Sequence, residues 1–410
     1  MMSKEKRRVP KLRFPGFTED WEQRKFSDLY EKISEKNDLS YSLDKIISVA
    51  NMYYKSDAKV SNEEYLRTYN IFRYGEIAFE GNKSKNFAYG RFVENTIGDG
   101  IISHVFEVFR PIVKYDIYFW KYYINYEPIM GKVLSRCTKK TTMMTNLVAK
   151  DFLKETILVP TLAEQKQIGT LLNTLDKFIT LHQRKLDNLK LKKKALLQKL
   201  FPKNGERYPE LRFPGFTDTW EQRKLGECMN SFAYGLNAAA KEYDGMHKYI
   251  RITDIDDETH NFIQSNLTSP DIDFNMDVSD YKLNVGDIVF ARTGASVGKT
   301  YLYNPNDGDL YYAGFLIRGK VKEDCDAGFI YQNTLTKDYD SFIKITSQRS
   351  GQPGVNSKEY ATFRLNIPCK DEQEQISKVL NSLDELFTLH QRKLDHLKLQ
   401  KKALLQQMFV

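Results

Sequence analysis

The chain has 410 residues, 41% of them hydrophobic and 13% aromatic, which is a globular composition with room for two or three domains and excludes a disordered protein. No apolar run approaches membrane-spanning length, and the basic N-terminus lacks the apolar core of a secretion signal, so we expect a cytoplasmic protein. The net charge of +8 is modest for a chain of this length. The four cysteines stand singly, at no metal or redox spacing, as is typical of thiols in a reducing compartment: Cys137, Cys228, Cys325 and Cys369.

A repeated segment indicates that the chain is a tandem duplication. The string from Pro10 to Phe26, which contains RFPGF and WEQRK, recurs from Pro209 to Leu225 at an offset of 199 residues. Each copy opens a variable, strand-rich domain that is followed by a long helix. The predicted boundaries are 1–160 for the first domain, 161–201 for the first helix, 202–208 for a connector, 209–368 for the second domain and 369–410 for the second helix.

Both variable domains are rich in aromatic residues and turns. The segments Tyr74–Phe79 and Val285–Phe290 each predict a turn followed by an apolar strand. Near the ends of the domains, Phe152–Pro160 and Tyr360–Pro368 each predict a short strand that is stopped by proline. The residues between these segments share little. We therefore expect the two domains to bind different things, and the repeated parts to bind the same thing twice.

The segments Glu164–Phe201 and Glu372–Phe409 predict two long helices, related by an offset of 208 residues. Apolar residues recur in steps of three and four, as in a coiled-coil seam. A helix of about 33 residues is a rod of roughly 50 Å, and we expect the two copies to pack on each other. Two polar breaks, a histidine and a lysine, recur in both copies and predict a fixed register. The predicted seam comprises Leu172, Leu175, Ile179, His182, Leu186, Leu189 and Lys193, and Leu380, Leu383, Phe387, His390, Leu394, Leu397 and Lys401.

The positive charge is concentrated on these helices. Residues 181–200 carry a net charge of +6 and residues 389–408 carry +4, which leaves the rest of the chain at −2. Basic helix surfaces beside nearly neutral domains indicate an anionic partner, although solvated flanks of a coiled coil would give the same pattern.

The loop from Phe290 to Thr300 resembles a phosphate-binding loop but has the wrong spacing. Three residues separate Gly294 from Gly298, where that motif needs four. A flexible loop with arginine, lysine and hydroxyl side chains suits DNA instead, and the loop 347–358 adds further arginine, glutamine and asparagine donors. The candidate DNA contacts of the second domain are Arg292, Thr293, Ser296, Lys299, Gln348, Arg349, Gln352 and Asn356.

Two comparable loops of the first domain, 81–91 and 136–146, also combine lysine, asparagine and threonine with glycine or small residues. An ordinary polar loop is the alternative for any one of these residues. The candidate contacts of the first domain are Lys83, Lys85, Asn86, Arg91, Lys139, Lys140, Thr141 and Asn146.

The sequence offers no support for catalysis. It contains no NPPY-type or DPPY-type adenine methylation motif, no usable glycine-rich cofactor loop, no helicase motif and no pair of histidines at metal-ligand spacing. We therefore predict no catalytic residues and no metal site on this chain.

Taken together, the RFPGF and WEQRK segments, GDIVFARTGASVGK, QPGVNSKEY and the paired helices resemble the specificity subunit of a type I restriction-modification system. The resemblance covers essentially the whole chain and implies an α+β fold, in which two target-recognition domains are held apart by two antiparallel helices. Each domain would read one half of a bipartite DNA site. The first domain has EIAFEGNKSKNFAYGR where the second has DIVFARTGASVGKT.

The same resemblance implies partners and cofactors. Two DNA-adenine methyltransferase subunits and the restriction-translocase subunits would assemble on this chain, with the helices setting the spacing and docking the methyltransferases. S-adenosylmethionine, ATP and magnesium would then belong to the partner subunits.

Two other classes of protein remain open at this point. A coiled-coil DNA-binding transcriptional regulator would explain the helices, but such proteins usually obtain identical reading heads by dimerisation. A structural scaffold would explain the helices without the loops, and absence of DNA affinity beside a methyltransferase would favour it.

Overall fold

The computed structural model describes residues 9–56, 62–140, 144–203, 205–348 and 351–409. It forms two compact units. The first unit is Met1–His182 together with Lys393–Val410, and the second unit is Gln183–Arg392. Each unit therefore contains one strand-rich domain, the beginning of one long helix and the end of the other.

The first half of the chain begins with short strands and ends in a long helix. In chain order its elements are β1 (Glu22–Lys25), β2 (Tyr30–Ile33), β3 (Ile47–Ser48), β4 (Tyr53–Tyr54), β5 (Asn70–Phe72), β6 (Ile77–Glu80), β7 (Arg91–Glu94), β8 (Gly100–Ile102), β9 (Glu107–Pro111), α1 (Ile117–Tyr123), α2 (Glu127–Cys137), β10 (Thr138–Lys140), β11 (Thr145–Leu147), α3 (Ala149–Lys154), β12 (Thr156–Val159) and α4 (Leu162–Lys199).

The second half repeats this plan. Its elements are β13 (Glu221–Lys224), β14 (Met229–Tyr234), β15 (Ala240–Glu242), β16 (Lys248–Ile250), β17 (Thr268–Pro270), β18 (Asp287–Ala291), β19 (Thr300–Leu302), β20 (Leu310–Tyr312), β21 (Leu316–Val321), α5 (Ala327–Asn333), α6 (Lys337–Thr346), α7 (Ser357–Tyr360), β22 (Arg364–Ile367) and α8 (Lys370–Met408).

The main sheets of the two units have the same topology. Each is a four-stranded antiparallel sheet, in the order β2-β9-β6-β7 in the first unit and β14-β21-β18-β19 in the second. The repeated EQRK strands also pair alike: Glu22 lies opposite Val159, and Glu221 lies opposite Ile367. The predicted α+β fold, with two strand-rich domains and two long helices in a tandem repeat, is confirmed.

The units differ in their smaller ladders. The first unit pairs β5 with β8 antiparallel, whereas the second pairs β16 with β20 parallel. The first unit also has the short pairs β3-β4 and β10-β11, and the second has β15-β17. The two units therefore share the topology of the main sheet and differ in these peripheral strands.

In each unit, the beginning of one long helix packs against the end of the other. In the first unit, Leu172 of α4 shares an apolar core with Met408 of α8, and the ring centroids of Phe119 and Phe409 are 5.8 Å apart. In the second, Leu380 of α8 shares a core with Leu200, the residue that follows α4. The helix segments within each unit are thus antiparallel, as predicted.

Each RFPGF segment is tied to a long helix by a bidentate ion pair. The guanidinium of Arg13 donates to both carboxylate oxygens of Glu164 at 2.7 and 2.8 Å, and Arg212 makes the same two bonds to Glu372 at 2.8 Å. Both glutamate side chains are buried. Such pairs fix geometry strictly, because the two parallel hydrogen bonds allow one orientation of the arginine.

The glutamine that follows each glutamate makes a second connection. In the second unit, the Gln373 side chain donates to the Pro368 carbonyl at 2.9 Å and accepts from the Asp326 backbone amide at 3.0 Å. Gln165 makes the equivalent bonds in the first unit, at 3.0 and 3.1 Å. Because Asp326 caps α5, the glutamine joins the proline-terminated strand, the long helix and a domain helix.

The lysines in the helix seam form ion pairs. Lys193 Nζ lies 2.6 and 2.8 Å from the carboxylate oxygens of Asp384, and Lys401 Nζ lies 2.6 Å from Asp176. In each unit the lysine and the aspartate come from different helices. A half-buried charge on one helix therefore has one favourable partner position on the other, which restricts how the two can slide.

Two cysteines that are distant in the sequence lie together in the second unit. The thiols of Cys228 and Cys325 are buried and free, and the Lys322 amide donates to the Cys228 carbonyl at 2.9 Å. The neighbouring Cys325 thiol, with burial, raises the pKa of Cys228 above its ordinary value. Spacing in the sequence did not predict this contact, which depends on the way residues 322–325 pack beside the start of β14.

We predict that Arg212→Met destabilises the second unit by about 3–5 kcal/mol, because it leaves the buried Glu372 carboxylate unpaired. The double variant with Glu372→Leu should recover much of this loss, since no charge then remains buried. Urea unfolding, followed by hydrogen exchange of peptides from each unit, measures the stability of the single and the double variant. The first unit, with its intact Arg13–Glu164 pair, is the internal control. Equal stability of the single and double variants would contradict the inference that the unpaired Glu372 carboxylate causes the loss.

The seam generates a second prediction. Leu186 is buried and Leu191, on the same helix, is 66% exposed. Leu186→Asp should cost several kcal/mol and produce aggregated protein, whereas Leu191→Asp should leave the thermal unfolding midpoint of the chain nearly unchanged. Size-exclusion chromatography and thermal unfolding check both variants; similar behaviour of the two would argue against a buried seam.

Candidate nucleic-acid interface

The two candidate loops of the second unit meet beyond the end of β18. Thr293 forms a bridge with Gly354, the Gly294 amide donates to the Pro353 carbonyl at 3.0 Å, and the Val355 amide donates to the Arg292 carbonyl at 2.9 Å. The bridged residues, Thr293 and Gly354, are 61 positions apart in the sequence. Their contact brings the predicted residues Arg292, Thr293, Gln352 and Asn356 to one surface.

Arg292 lies over an aromatic ring on this surface. Its guanidinium carbon is 5.1 Å from the ring centroid of Tyr234, the last residue of β14. The Tyr234 hydroxyl is bonded to Ser357 at the start of α7, at 3.2 Å from Oγ and 3.3 Å from the backbone amide. The bond with the Ser357 side chain lowers the pKa of Tyr234 below its ordinary value. Sequence reasoning missed both Tyr234 and Ser357.

A further aromatic residue lies beside Arg292. The Arg292 amide donates to the carbonyl of Phe315 at 3.0 Å, and the Phe315 side chain is 61% exposed. Exposed large apolar side chains within a polar surface often mark contacts with a partner. Residues 311–316 contain none of the arginine, lysine, glutamine or asparagine on which the sequence prediction relied, so Phe315 was not selected.

The remaining residues of the first loop face the protein. Lys299 Nζ donates to the Ile255 carbonyl at 2.9 Å and pairs with Asp257, and its side chain is only 11% exposed. Ser296 is half-buried in the turn that follows β18. The Tyr360 hydroxyl fixes the start of this turn by donating to the Ala291 carbonyl at 2.6 Å. For Lys299 and Ser296, DNA contact stays a prediction that this geometry does not favour.

Glycine is required within that turn. Gly298 has φ of 87°, and a β-carbon there would lie 2.7 Å from the Ile343 side chain. Its amide donates to the Tyr360 hydroxyl at 3.1 Å, and its carbonyl accepts from Tyr339 at 3.0 Å. The glycine that resembled part of a phosphate loop therefore serves close packing against α6.

The second loop presents its polar side chains outward. Gln348, Gln352 and Asn356 are exposed. The Asn356 side chain caps α7 by accepting from the Glu359 amide at 3.0 Å, and Gln352 Nε2 lies against Gly294. Arg349 lies outside the described residues.

The two candidate loops of the first unit also meet. The Thr145 amide donates to the Gly81 carbonyl at 2.8 Å, and the Thr145 hydroxyl reaches the carbonyls of Gly81 and Tyr89, both at 3.0 Å. Asn82 bridges Met144. This junction follows β6 as the other follows β18, so both units form a two-loop surface at the same place in the fold.

The predicted residues of the first unit divide between this surface and the interior. Lys139 pairs with Asn146 across β10 and β11, and both are exposed, as are Lys83, Lys85, Asn86 and Lys140. The Arg91 guanidinium instead binds Glu80 at 2.7 Å and the Ala50 carbonyl at 2.8 Å, and it lies 5.1 Å from the Phe87 ring centroid. Thr141 lies outside the described residues.

A short string shared by the two surfaces could have identified their aromatic residues. FAYG occurs at 87–90 and at 232–235. In the first unit the ring of Tyr89 lies 5.9 Å from Lys140 Nζ, and in the second the ring of Tyr234 lies 5.1 Å from Arg292. The string precedes β7 in one unit and ends β14 in the other, so its positions are not equivalent in the fold.

The long helices carry a different kind of candidate surface. All predicted seam residues are buried or half-buried. Away from the seam, exposed apolar residues of α4 have exposed apolar equivalents on α8 at the repeat offset; the pairs are Phe178 and Leu386, Leu181 and Leu389, and Leu191 and Leu399. Apolar residues that are exposed at matching repeat positions favour one kind of partner bound twice.

Within the residues that the structure describes, no group of three or more histidine, cysteine or acidic side chains could hold a metal ion. None of the helices in the described part of the chain combines the length and apolar character needed to cross a membrane.

The chain is similar to known proteins over most of its length. The family profile described as type I restriction modification DNA specificity domain matches it twice, over residues 18–191 and 217–399. Among solved structures, the S subunit of a type I restriction-modification system from M. genitalium is similar, with a TM-score of 0.63, 15% identity, and coverage of 98% of this chain and 99% of that one. The HsdS subunit from Thermoanaerobacter tengcongensis has a TM-score of 0.43 and 16% identity, with 97% of each chain covered. At this identity, the M. genitalium match concerns the fold.

Proposed function

The chain belongs to the type I restriction-modification DNA specificity family, and from this premise we propose that its two strand-rich domains each read one half of a bipartite site in double-stranded DNA. The single observation that carries the proposal is the pair of two-loop surfaces at the ends of β6 and β18. They occupy the same place in a repeated frame and carry different side chains. Two equivalent surfaces with different chemistry suit two different half-sites.

The chemistry of the surface in the second unit supports DNA as the ligand. Arginine can bind the edge of guanine through two hydrogen bonds, and glutamine or asparagine can do the same with adenine. Arg292 and Gln352 are brought together there. The exposed Phe315 adds an apolar surface that could contact a thymine methyl group. The surface of the first unit offers lysines and asparagine, which suit phosphate and base contacts.

The helices support the proposed assembly. We propose that they set the spacing between half-sites and dock two DNA-adenine methyltransferase subunits, to which restriction-translocase subunits are added. At about 1.5 Å per residue, α4 with 38 residues and α8 with 39 are rods of about 57 and 58 Å. Exposed apolar residues at matching positions of both helices support docking of the same partner twice.

We propose that the chain is a cytoplasmic, non-catalytic subunit that recognises DNA sequence. As the family membership implies, S-adenosylmethionine would be bound by the methyltransferase subunits, and ATP with magnesium by the restriction-translocase subunits. The role of this chain is then to choose where the partners act.

Reconstitution tests this division of roles. The purified chain alone should neither methylate nor cleave DNA, and with its cognate methyltransferase subunit it should direct adenine methylation to one bipartite sequence. Sequencing of methylated bases in a randomised DNA library is the measurement. Leu181→Asp combined with Leu389→Asp should lower methyltransferase binding while leaving the fold intact, because both leucines are exposed. Methyl transfer by the isolated chain would refute the proposal.

Arg292→Ala tests the surface of the second unit. If Arg292 binds guanine through two hydrogen bonds, the variant should lose about 1–3 kcal/mol and relax one base position. If it binds a phosphate, affinity should fall evenly across sequences and depend less on salt. In both cases the first domain should keep its sequence preference at its own half-site. Methylation of the same randomised library measures this preference.

Lys299→Met is the matched control, since it removes the same charge from the same loop at a position that points inward. It should keep the base preference, and a changed preference would return Lys299 to the interface. Altered preference in both half-sites after Arg292→Ala would refute independent reading by the two domains.

A further inference from the structure

Tyr234 is placed to hold Arg292 rather than to fill the core. It ends β14 with its side chain 42% exposed, and its ring lies under the Arg292 guanidinium at 5.1 Å. An arginine above an aromatic face is attracted by the partial negative charge that the ring quadrupole places on that face. The long arginine side chain thereby loses some of its rotational freedom. The ring therefore selects one direction for the guanidinium.

The Tyr234 ring is itself fixed at its other end. Its hydroxyl is bonded to both the hydroxyl and the amide of Ser357, the first residue of α7. The loop of Arg292 joins the same region through the bond from Val355 to the Arg292 carbonyl. Backbone and side chain of Arg292 are thus held by neighbouring parts of the same segment, 355–357.

We propose that Tyr234 is a positioning residue for base reading by the second domain: it orients the Arg292 guanidinium before DNA binds and thereby sharpens preference at the single base position that Arg292 governs. The inference rests on the proposed function of the chain. It extends that function because it assigns Tyr234 a role in base preference that Tyr234 exerts through Arg292. A guanidinium that is already oriented pays less ordering entropy when it binds the matching base. It also cannot turn to satisfy a base whose acceptors lie elsewhere, so the difference in affinity between the two bases grows.

The test is methylation of the randomised bipartite library by the chain reconstituted with its methyltransferase subunits. Tyr234→Leu removes the ring and should reduce discrimination at the Arg292 position by about 2- to 30-fold. Tyr234→Phe keeps the ring but loses the bonds to Ser357, and it should give a smaller reduction at the same position. The half-site of the first domain should be unaffected by either change.

A double variant separates positioning from direct contact. In the Arg292→Ala background, Tyr234→Leu should add no further loss at that position, because Tyr234 acts through Arg292. Tyr208→Leu is the matched control: Tyr208 is also an exposed tyrosine near an arginine, 6.0 Å from Arg212, but it lies outside the two loops. This control should keep the wild-type preference.

The outcomes distinguish the inference from the function on which it rests. A wild-type complex that methylates no bipartite sequence refutes the proposed function. The positioning role is overturned, while the proposed function stands, if the wild type methylates a bipartite sequence and any one of three results is found. These results are an even weakening of binding across sequences by Arg292→Ala, full discrimination by Tyr234→Leu, and a further loss from Tyr234→Leu in the Arg292→Ala background. If Tyr234→Leu does not assemble, unchanged discrimination by Tyr234→Phe overturns it.

Discussion

The buried pairs Arg13–Glu164 and Arg212–Glu372 are the contacts on which the rest of each unit depends. Each joins the first segment of a domain to the first turn of the helix that follows that domain, so the domain is closed by its own two ends. Removing a buried charge from water is unfavourable, and both hydrogen bonds of the arginine are needed to offset that cost. The pair therefore specifies one geometry, and both copies of the repeat retain it.

The pairing of lysine with aspartate in the helix seam extends the same logic to the helices. Lys193 and Lys401 would weaken an ordinary apolar seam, but each meets an aspartate of the other helix, and each aspartate has a second donor from the domain: Gln332 for Asp384 and Tyr122 for Asp176. The second donor connects the helix register to the domain position. The proposed reading of two half-sites needs such a connection, because the two-loop surfaces would have to stay at fixed places along the helices.

The sequence predicted the parts of the fold that depend on local pattern. Periodicity predicted α4 and α8; each begins two residues before the repeated segment, at Leu162 and Lys370, soon after the prolines that follow β12 and β22. Turn chemistry predicted β6 and β18, and the prolines predicted β12 and β22. The strands predicted from Phe152 and Tyr360 were too long, because Phe152 lies in α3 and Tyr360 in α7. Local pattern could not predict the direction of loop side chains. Lys299 faces inward because Asp257 and the Ile255 carbonyl lie there, and neither residue is near Lys299 in the sequence.

The aromatic residues beside Lys140 and Arg292 suggest a physical reason why the two-loop surfaces diverge while the frame does not. FAYG supplies a ring beside a cation in both units, yet it ends a strand in one and precedes a strand in the other. The shared requirement is physical: a long, flexible cation on an exposed surface reads a base edge well only if something limits its motion. A ring can meet that requirement from more than one place near a two-loop junction. Loop sequences can therefore change freely around the junction, provided that each new cation finds a support, whereas the ion pairs of the frame have no alternative position.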